Sequence, residues 1–368
     1  TGKVEIAEGL TAQSASKRIE DMTFKDANGQ GQYVFTPEED KPPVPGEADG
    51  PIKKPEIFTK DRVAKATEKD AFGEGIHKMI AAAYNSTAEE DMTVNMKDST
   101  LTLSAEAGNE KAVGILSDAT NMKFIGGKES TPIHISVKGN GMSYGILASS
   151  KGIVDISQDI VLDKVEGGLN AYGVYASAPD DMITLKGLTI HNSLTAKNDT
   201  GNQKTIGIAA LGKGSKIHVN GKTDISIKGT AVKAAGGTVV LGETVIDTGI
   251  DTNKQQKALV AQSTSSGAGI ISVNMNADNT SAGDKKVVIT GDTLVTKRVG
   301  ESESGKIYLG LNTAGSMWKG ISGYSNSLQV QSGELNLWLA NGATWTNERT
   351  GKEFGVPGGW KGSLVTSF

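Results

Sequence analysis

One sequence pattern recurs six times between residues 111 and 261: a Gly or small residue, then an aliphatic residue, then Ala or another small residue. The anchor positions are separated by 31, 28, 34, 24 and 28 residues, and they are Gly114, Gly145, Gly173, Gly207, Ala231 and Leu259. Each anchor is followed by a polar turn and one or two short alternating strands. Three short strands separated by turns make one coil of a parallel β-helix. The repeat therefore predicts a stack of such coils.

The strands that follow the anchors are too short to form an independent sheet. In residues 153–165 and 183–194, aliphatic residues alternate with polar ones. Stacked coils pair each strand with the coils above and below it and bury the aliphatic positions in one column. We therefore predict an all-β chain that forms a right-handed parallel β-helix. A β-sandwich or a propeller is the alternative, although a propeller blade needs roughly 40 to 45 residues.

The composition narrows the partners and the chemistry. The formal net charge is −4, which argues against a nucleic-acid partner because such partners require a basic face. The chain has no cysteine, which excludes disulfides, thiolate catalysis and cysteine-based zinc sites. It also has no run of about eighteen apolar residues, so no segment is expected to cross a membrane as an α-helix.

The chain divides into four predicted segments: an extended or linker segment at 1–57, a helical cap at 58–88, the β-helix stalk at 89–300 and Trp-bearing closing coils at 301–368. Six of the nine prolines lie between Pro37 and Pro55, which indicates a linker or an extended strap. The polar stretches 249–256 and 277–286 are predicted to be longer turns that project from the stack. Such turns commonly carry the recognition residues of a solenoid.

The helical cap is predicted from the spacing of apolar residues. They recur at intervals close to 3.6 residues and would share one helix face; among them are Val63, Ala66, Ile76, Met79, Ile80 and Ala83. Gly73 and Gly75 make two shorter helices an equal alternative. A helix before the first coil would cover an unpaired strand edge and an open apolar end.

Two tryptophans near the C-terminus repeat the coil spacing. Trp318 follows Gly315 by three residues and Trp345 follows Gly342 by three, so the two indoles are 27 residues apart. This spacing predicts that one ring stacks on the other in consecutive coils. The other two tryptophans lie in the same segment. Stacking of these rings on carbohydrate is the functional alternative to packing.

The acidic residues form no expected catalytic pair. Glycoside hydrolysis requires two carboxylates that face one groove at about 5 to 10 Å. Asp180 and Asp181 are adjacent in a turn. Asp155, Asp159 and Asp163 recur every four residues, a spacing that does not converge in a strand. We interpret all five as solvated side chains.

The histidines form no expected catalytic or metal site. His134, His191 and His218 each lie in a strand pattern, and in one stack their rings would line a groove, but the residues that follow them differ. The sequence has no Gly-x-Ser-x-Gly turn, His-Glu-x-x-His helix, phosphate-binding loop or EF-hand loop. We assign no catalytic, cofactor-binding or metal-binding residue and expect no cofactor. The ligand-binding residues stay unassigned.

The motifs YGILAS from Tyr144, YGVYAS from Tyr172 and ELNLWLANGATWTN from Glu334 resemble those of the passenger domain of a Gram-negative autotransporter, a type V secreted protein. The resemblance covers residues 92–368 and is most specific at 333–347. It implies a β-helical passenger that crosses the outer membrane through a C-terminal β-barrel and folds outside the cell, with its C-terminal coils, the autochaperone region, folding first. The chain ends without barrel strands, so we expect an isolated passenger or part of one.

The resemblance also implies a class of function. Serine-protease passengers carry a GDSGSP-type motif and lipase passengers a GDSL-type motif, and neither is present. We therefore expect a non-enzymatic adhesin on the cell surface, a stalk of about ten coils that binds host-cell or bacterial-surface protein or glycan, self-associates between cells and supports biofilm formation. Membrane attachment is expected only through the β-barrel. A secreted β-helix that degrades or binds polysaccharide and a passive spacer are the alternatives.

Overall fold

The computed structural model describes residues 2–5, 11–13, 23–25, 32–34, 62–66, 79–85, 92–96, 100–197, 199, 204–249, 255–324, 330–350 and 365–368. Every regular element in these ranges is a β-strand. The strands in chain order are β1 (Gly2–Glu5), β2 (Thr11–Gln13), β3 (Thr23–Lys25), β4 (Gln32–Val34), β5 (Arg62–Ala66), β6 (Met79–Asn85), β7 (Met92–Asn95), β8 (Leu101–Glu106), β9 (Lys111–Asp118), β10 (Asn121–Ile125), β11 (Ile133–Gly139), β12 (Ser143–Ser149), β13 (Ile153–Gly167), β14 (Ala171–Ala176), β15 (Met182–His191), β16 (Leu194–Ala196), β17 (Thr205–Ala210), β18 (Lys216–Ser226), β19 (Thr230–Ala235), β20 (Thr238–Asp247), β21 (Lys257–Gln262), β22 (Ile270–Val273), β23 (Val287–Thr290), β24 (Thr293–Arg298), β25 (Lys306–Leu311), β26 (Met317–Lys319), β27 (Ser322–Tyr324), β28 (Val330–Ser332), β29 (Glu334–Leu339) and β30 (Thr344–Thr346).

All of these strands except β2, β3, β4 and β28 wind into coils with three faces, and each face is a parallel ladder. The first face runs through β1, β7, β10, β13, β15, β18, β20, β22, β25 and β29. The second runs through β5, β8, β11, β13, β15, β18, β20, β23, β26 and β30, with β16 beside β13. The third runs through β6, β9, β12, β14, β17, β19, β21, β24 and β27. The prediction of an all-β parallel β-helix is therefore confirmed; the hand of the coil stays a prediction.

The strands β13, β15, β18 and β20 belong to two faces because each bends at a register shift. Their inward residues form the core. One inward row on the first face pairs Val154, Ile183, Ile217, Val239 and Ile271 in consecutive coils, and all five are fully buried. Burying a side chain of this size stabilises the fold by roughly 1.5 to 3 kcal/mol. The core is therefore a continuous aliphatic column.

The third face is apolar on both of its sides over its first five strands. Ile115 and Ile146 point into the core, while Val113, Tyr144 and Tyr172 lie in a second buried cluster on the opposite side. The Tyr144 and Tyr172 rings stack with centroids 5.3 Å apart and planes 10° apart. Strands buried on both sides are continuous apolar runs instead of alternating patterns.

The predicted helical cap at 58–88 is wrong for the described residues of that range, which form β5 and β6. Both strands pair in parallel with the next coil, β5 with β8 and β6 with β9. The sequence of β6 is MIAAAYN, and six of its seven residues are buried. Because this strand is buried on both sides, it lacks a period of two, and a short Ala-rich apolar run cannot be told from a helix by periodicity.

Most of the segment 1–57 lies outside the described residues. The remaining histidine, His77, and one of the four tryptophans, Trp360, also lie outside them. Within the segment, β1 pairs in parallel with β7, and β2, β3 and β4 form a small antiparallel sheet. Of the predicted projecting turns, 277–286 is confirmed: it lies between β22 and β23, and most of its residues are exposed. The turn at 249–256 is described only at its two ends.

The glycines of the repeat lie in one column along the third face. The strand registers place Gly145 opposite Gly114 and Gly173, and Gly173 opposite Gly207. A Cβ on Gly145 would lie 2.6 Å from the carbonyl oxygen of Gly173. Glycine is needed here because the carbonyl of the next coil occupies the place of a side chain.

The last anchor of the repeat is Ala258, and the prediction of Leu259 is wrong by one residue. Thr230 pairs with Lys257 and Val232 with Leu259, which sets Ala231 opposite Ala258. Leu259 lies opposite Val232, and it belongs to the same buried core as Ala258. Once the column changes from glycine to alanine, two neighbouring small or aliphatic residues match the pattern equally well, and only the strand register separates them.

The predicted tryptophan stack is confirmed. Trp318 pairs with Trp345 in the next coil, and the two indoles are stacked with centroids 4.9 Å apart and planes 2° apart. Each Nε1 donates a 3.0 Å hydrogen bond to a glycine carbonyl, Trp318 to Gly291 and Trp345 to Gly320. The stack is therefore fixed by hydrogen bonds as well as by packing.

Near the C-terminal end, Asp292 links several coils through one buried carboxylate, an arrangement we call the Asp292 clasp. Its Oδ2 lies 3.6 Å from Nζ of Lys257. Its Oδ1 accepts hydrogen bonds from the Ile321 amide at 3.2 Å and from both the amide and hydroxyl of Thr350 at 2.9 Å. All four residues are buried. The clasp joins residues 58 positions apart in sequence.

Candidate recognition surface

The outward side of the first and second faces presents polar side chains in rows. On β13, β15, β18 and β20 inward aliphatic residues alternate with outward residues that are mostly polar, and the parallel register sets the outward residues of consecutive coils one above another. We call the outward residues of β8, β10, β11, β13, β15, β18 and β20 the polar ladder surface. The strands β9, β12, β14 and β17 of the third face offer no such surface, because nearly all of their residues are buried.

On the first face, one outward row contains Lys123, Asp155, Thr184 and His218 in consecutive coils. The Lys123 Nζ lies 3.3 Å from Asp155 Oδ2. Partial burial lowers the pKa of His218, and the nearby charge of Lys216 lowers it further. The row therefore presents an ion pair, a hydroxyl and a neutral imidazole at neutral pH.

On the second face, two histidines are paired with aspartates of neighbouring coils. His134 Nδ1 lies 3.0 Å from Asp163 Oδ2, and His191 Nε2 lies 2.9 Å from Asp224 Oδ1. Lys222 also contacts Asp224, at 2.7 Å. Partial burial acts to raise the pKa of Asp224, but the hydrogen bonds from Lys222 and His191 outweigh it and hold this pKa below its usual value.

At the C-terminal ends of the second-face strands β8, β11 and β13, the charges alternate in sign from coil to coil. Glu106, Lys138 and Glu166 pair in register, with Lys138 Nζ at 3.6 Å from Glu106 Oε1. Lys164 lies 2.6 Å from Glu166, and this hydrogen bond lowers the pKa of Glu166. Exposed pairs of this kind contribute at most about 1 kcal/mol each to folding. Their charges can therefore exchange partners with a facing surface at small cost to the fold.

The aspartates that recur every four residues do not share a groove. Each is paired with a different basic side chain, and the pairs are Lys123–Asp155, Lys186–Asp159 and His134–Asp163. The three histidines also lie apart, with His218 on the first face and the other two on the second. Among the described residues, no group of three or more acidic or histidine side chains is placed to hold a metal ion.

Asp180 is exposed as predicted, but the interpretation of Asp181 as a solvated residue is wrong. Asp181 is fully buried. Its carboxylate accepts hydrogen bonds of 2.5 to 3.1 Å from four backbone amides, those of Lys151, Gly152, Ser177 and Ala178. Burial raises the pKa of Asp181, and the amide donors act against that rise. Asp181 therefore joins the turns of two consecutive coils.

Two outward aromatic residues were not singled out from the sequence as a pair. Tyr308 on β25 and Trp338 on β29 are partly exposed, and their ring centroids lie 6.5 Å apart with planes tilted by 37°. The alternation in KIYLGL and ELNLWL places both rings on the side opposite the buried leucines. That alternation is the signal that would have identified them.

The fold and surface define the class as an all-β parallel β-helix with a polar lateral surface. Comparison with protein-family models, with curated proteins and with solved structures gives no match. In the part of the chain that the structure describes, no helix is long and apolar enough to cross a membrane.

Proposed function

We propose that this chain is the β-helical passenger of an autotransporter adhesin on the surface of a Gram-negative bacterium. There it would mediate attachment to host or other bacterial cells, and so support aggregation and biofilm formation. The observation that carries the proposal is the polar ladder surface, in which hydroxyls and paired charges repeat from coil to coil. The passenger-like motifs around Tyr144, Tyr172 and Trp345 support the same assignment.

The proposed mechanism is many weak contacts along one face. Each exposed ion pair is worth at most about 1 kcal/mol, so no single contact holds two molecules together. Several such contacts on one rigid face act as a multivalent set, and linked contacts raise the total affinity well above that of one contact. Alternating signs, as at Glu106, Lys138 and Glu166, allow a second copy of the surface to pair with the first.

The proposal includes a non-catalytic role. Asp155 and Asp163 are paired with different side chains, Lys123 and His134, and Asp181 is engaged by backbone amides. A general acid and a general base must instead converge on one substrate atom. Release of reducing ends from a polysaccharide by the purified chain would overturn this part of the proposal.

A bead assay tests the adhesive role. Beads coated with the purified chain are expected to aggregate with each other and with bacterial cells, and about 1 M salt should disperse them because it shortens the screening length to ~3 Å. The double variant Lys123→Glu and Lys138→Glu reverses two ladder charges. The matched control, Lys128→Glu and Lys213→Glu, makes the same charge change in exposed turns outside the ladder.

The expected result is a loss of aggregation with the ladder variant and wild-type aggregation with the control. Equal behaviour of the two variants would contradict the assignment of adhesion to the polar ladder surface. No aggregation by the wild-type chain, and no attachment of its beads to cells, would contradict the adhesive function itself.

A further inference from the structure

Tyr308 and Trp338 are two aromatic residues on an outward surface that is mostly polar. Tyr308 pairs with Asn336 and Gly310 with Trp338, so both rings are on the outward side of two adjacent coils. The ring centroids lie 6.5 Å apart and the ring planes are tilted by 37°. Neither belongs to the buried core. Partly exposed aromatic rings side by side on a polar surface mark a contact site for a ligand or partner.

A segment that leaves the stack covers the strand beside Trp338. Residues 274–286, which we call the excursion, leave the stack between β22 and β23 and lie over Gly310, where a Cβ would come within 2.9 Å of Ala282. Asn274 fixes the base of the excursion: its Nδ2 donates to the carbonyls of Gly283 at 3.2 Å, Lys285 at 3.0 Å and Gly310 at 3.0 Å. Because Gly310 pairs with Trp338, the excursion covers the strand position beside Trp338 in the preceding coil.

The rim of this aromatic site is made of amides. Asn312 Nδ2 donates to the Gly283 carbonyl at 3.2 Å, and Asn341 Nδ2 donates to Asn312 Oδ1 at 2.9 Å. Asn336 lies on the other side, beside Tyr308 in register. A side-chain amide both donates and accepts hydrogen bonds, as a sugar hydroxyl does.

The charged side chains of the excursion, β25 and β29 balance, because Asp278, Asp284 and Glu334 match Lys285, Lys286 and Lys306 in number. Lys306 Nζ lies 3.4 Å from Glu334 Oε2, and Lys285 Nζ lies 3.4 Å from Asp284 Oδ1. A charged ligand would require an excess of opposite charge at the site. The charge arrangement therefore favours an uncharged ligand.

We propose that Tyr308, Trp338 and the excursion form a binding site for an uncharged oligosaccharide. A pyranose ring has an apolar C–H face that packs on an aromatic ring and a rim of hydroxyls that hydrogen-bond to amides. The inference deepens the proposed adhesion and rests on it for the location of the glycan on a cell surface. The binding step itself is a property of the isolated chain.

The test is isothermal titration of the full chain with chitotetraose, cellotetraose and a hexaproline peptide. Wild-type protein is expected to bind at least one of the two tetrasaccharides. Trp338→Ala should weaken that binding by about tenfold or more, the change expected when an aromatic anchor is truncated. Trp338→Phe, which keeps an aromatic face, should retain most of it. Leu169→Ala, which removes an exposed apolar side chain elsewhere, is the control and should have no effect.

Three outcomes would overturn the inference: no binding of either tetrasaccharide at millimolar concentration, binding that Trp338→Ala leaves unchanged, or binding of the peptide alone. Equal unfolding midpoints for Trp338→Ala and wild type would show that the variant is folded. The bead assay separates the two proposals. Aggregation that survives Trp338→Ala while sugar binding is lost supports two separate sites. Sugar binding by a chain that shows no adhesion would support the sugar site and contradict the proposed adhesive function.

Discussion

Replacing Gly145 with alanine tests the carbonyl-filled glycine column. The new Cβ would lie 2.6 Å from the Gly173 carbonyl oxygen and 2.9 Å from both methyl groups of Leu162. Ordinary van der Waals contact begins near 3.4 Å, so the carbonyl must recede by about 0.8 Å. That carbonyl belongs to the backbone of the next coil, which is held by its own ladder, and it cannot move alone.

The expected cost follows from two opposing effects. Overpacking a closely packed site costs about 1 to 3 kcal/mol. Alanine also restricts the unfolded chain more than glycine does, which returns about 0.4 to 1 kcal/mol. We therefore expect Gly145→Ala to lower the free energy of unfolding by about 1 to 2 kcal/mol. The measurement is the midpoint of urea unfolding, monitored by circular dichroism.

Gly323→Ala is the matched control on the same face. Its Cβ would come no closer than 3.3 Å to the Thr293 carbonyl and 3.9 Å to Leu294, so the carbonyl has to recede by only about 0.1 Å and the effect on the unfolded chain dominates. This control should have a midpoint equal to or above that of wild type. A Gly145→Ala midpoint as high as that of Gly323→Ala would refute the explanation of the glycine column.

Three further substitutions probe other parts of the stack. Trp318→Ala removes a fully buried ring and the hydrogen bond to Gly291, and it should cost about 3 to 5 kcal/mol by urea unfolding. Asp181→Ala deprives four backbone amides of their acceptor and should cost at least about 2 kcal/mol in the same assay. Asp224→Asn should cost at most about 1 kcal/mol at pH 6. Because the pKa of Asp224 is lowered in the folded state, its contribution is present above the unfolded pKa and disappears as pH falls through the folded value, so the wild-type advantage should vanish once the pH is below that folded pKa.

Each of these expectations has an outcome that contradicts it. Asp180→Asn, at the exposed neighbour whose φ of 64° asparagine also tolerates, should stay within about 0.5 kcal/mol of wild type, and equal losses at both aspartates would refute the amide-acceptor role. A Trp318→Ala loss below about 1 kcal/mol would show that the tryptophan stack is not a stabilising centre. An Asp224→Asn difference that grows on acidification would reverse the sign argued from the ion pairs.

The sequence predicted those features that depend on a repeat with unmistakable residues. Trp318 and Trp345 are rare, large and one coil apart, so their spacing alone placed one ring on the other. The glycine anchors up to Gly207 were equally clear because few residues replace glycine beside a carbonyl. At Ala231 the column changes from glycine to alanine, so two neighbouring residues of the next coil match the pattern. The predicted anchor, Leu259, is therefore one residue away from the observed anchor, Ala258.

Other features depend on contacts that a single strand cannot show. The sequence of β6 resembles that of a helix because burial on both sides removes the alternation that identifies strands. Asp180 and Asp181 are chemically identical neighbours, and only the turn of the preceding coil, at Lys151 and Gly152, decides which one is buried. The pairing of Tyr308 with Trp338 likewise requires the register of β25 on β29.

The Asp292 clasp has a mechanical consequence. In a parallel stack the hydrogen bonds between coils point along the long axis. Because each coil contacts only its nearest neighbours, a pull on one end breaks these hydrogen bonds one coil at a time. Thr350 is bonded to Asp292 across more than one coil, and Lys257 extends the link to an earlier one. Force applied between the two ends of the stack therefore acts on a cluster of buried, hydrogen-bonded charges at the C-terminal end. These coils should consequently separate together instead of one at a time.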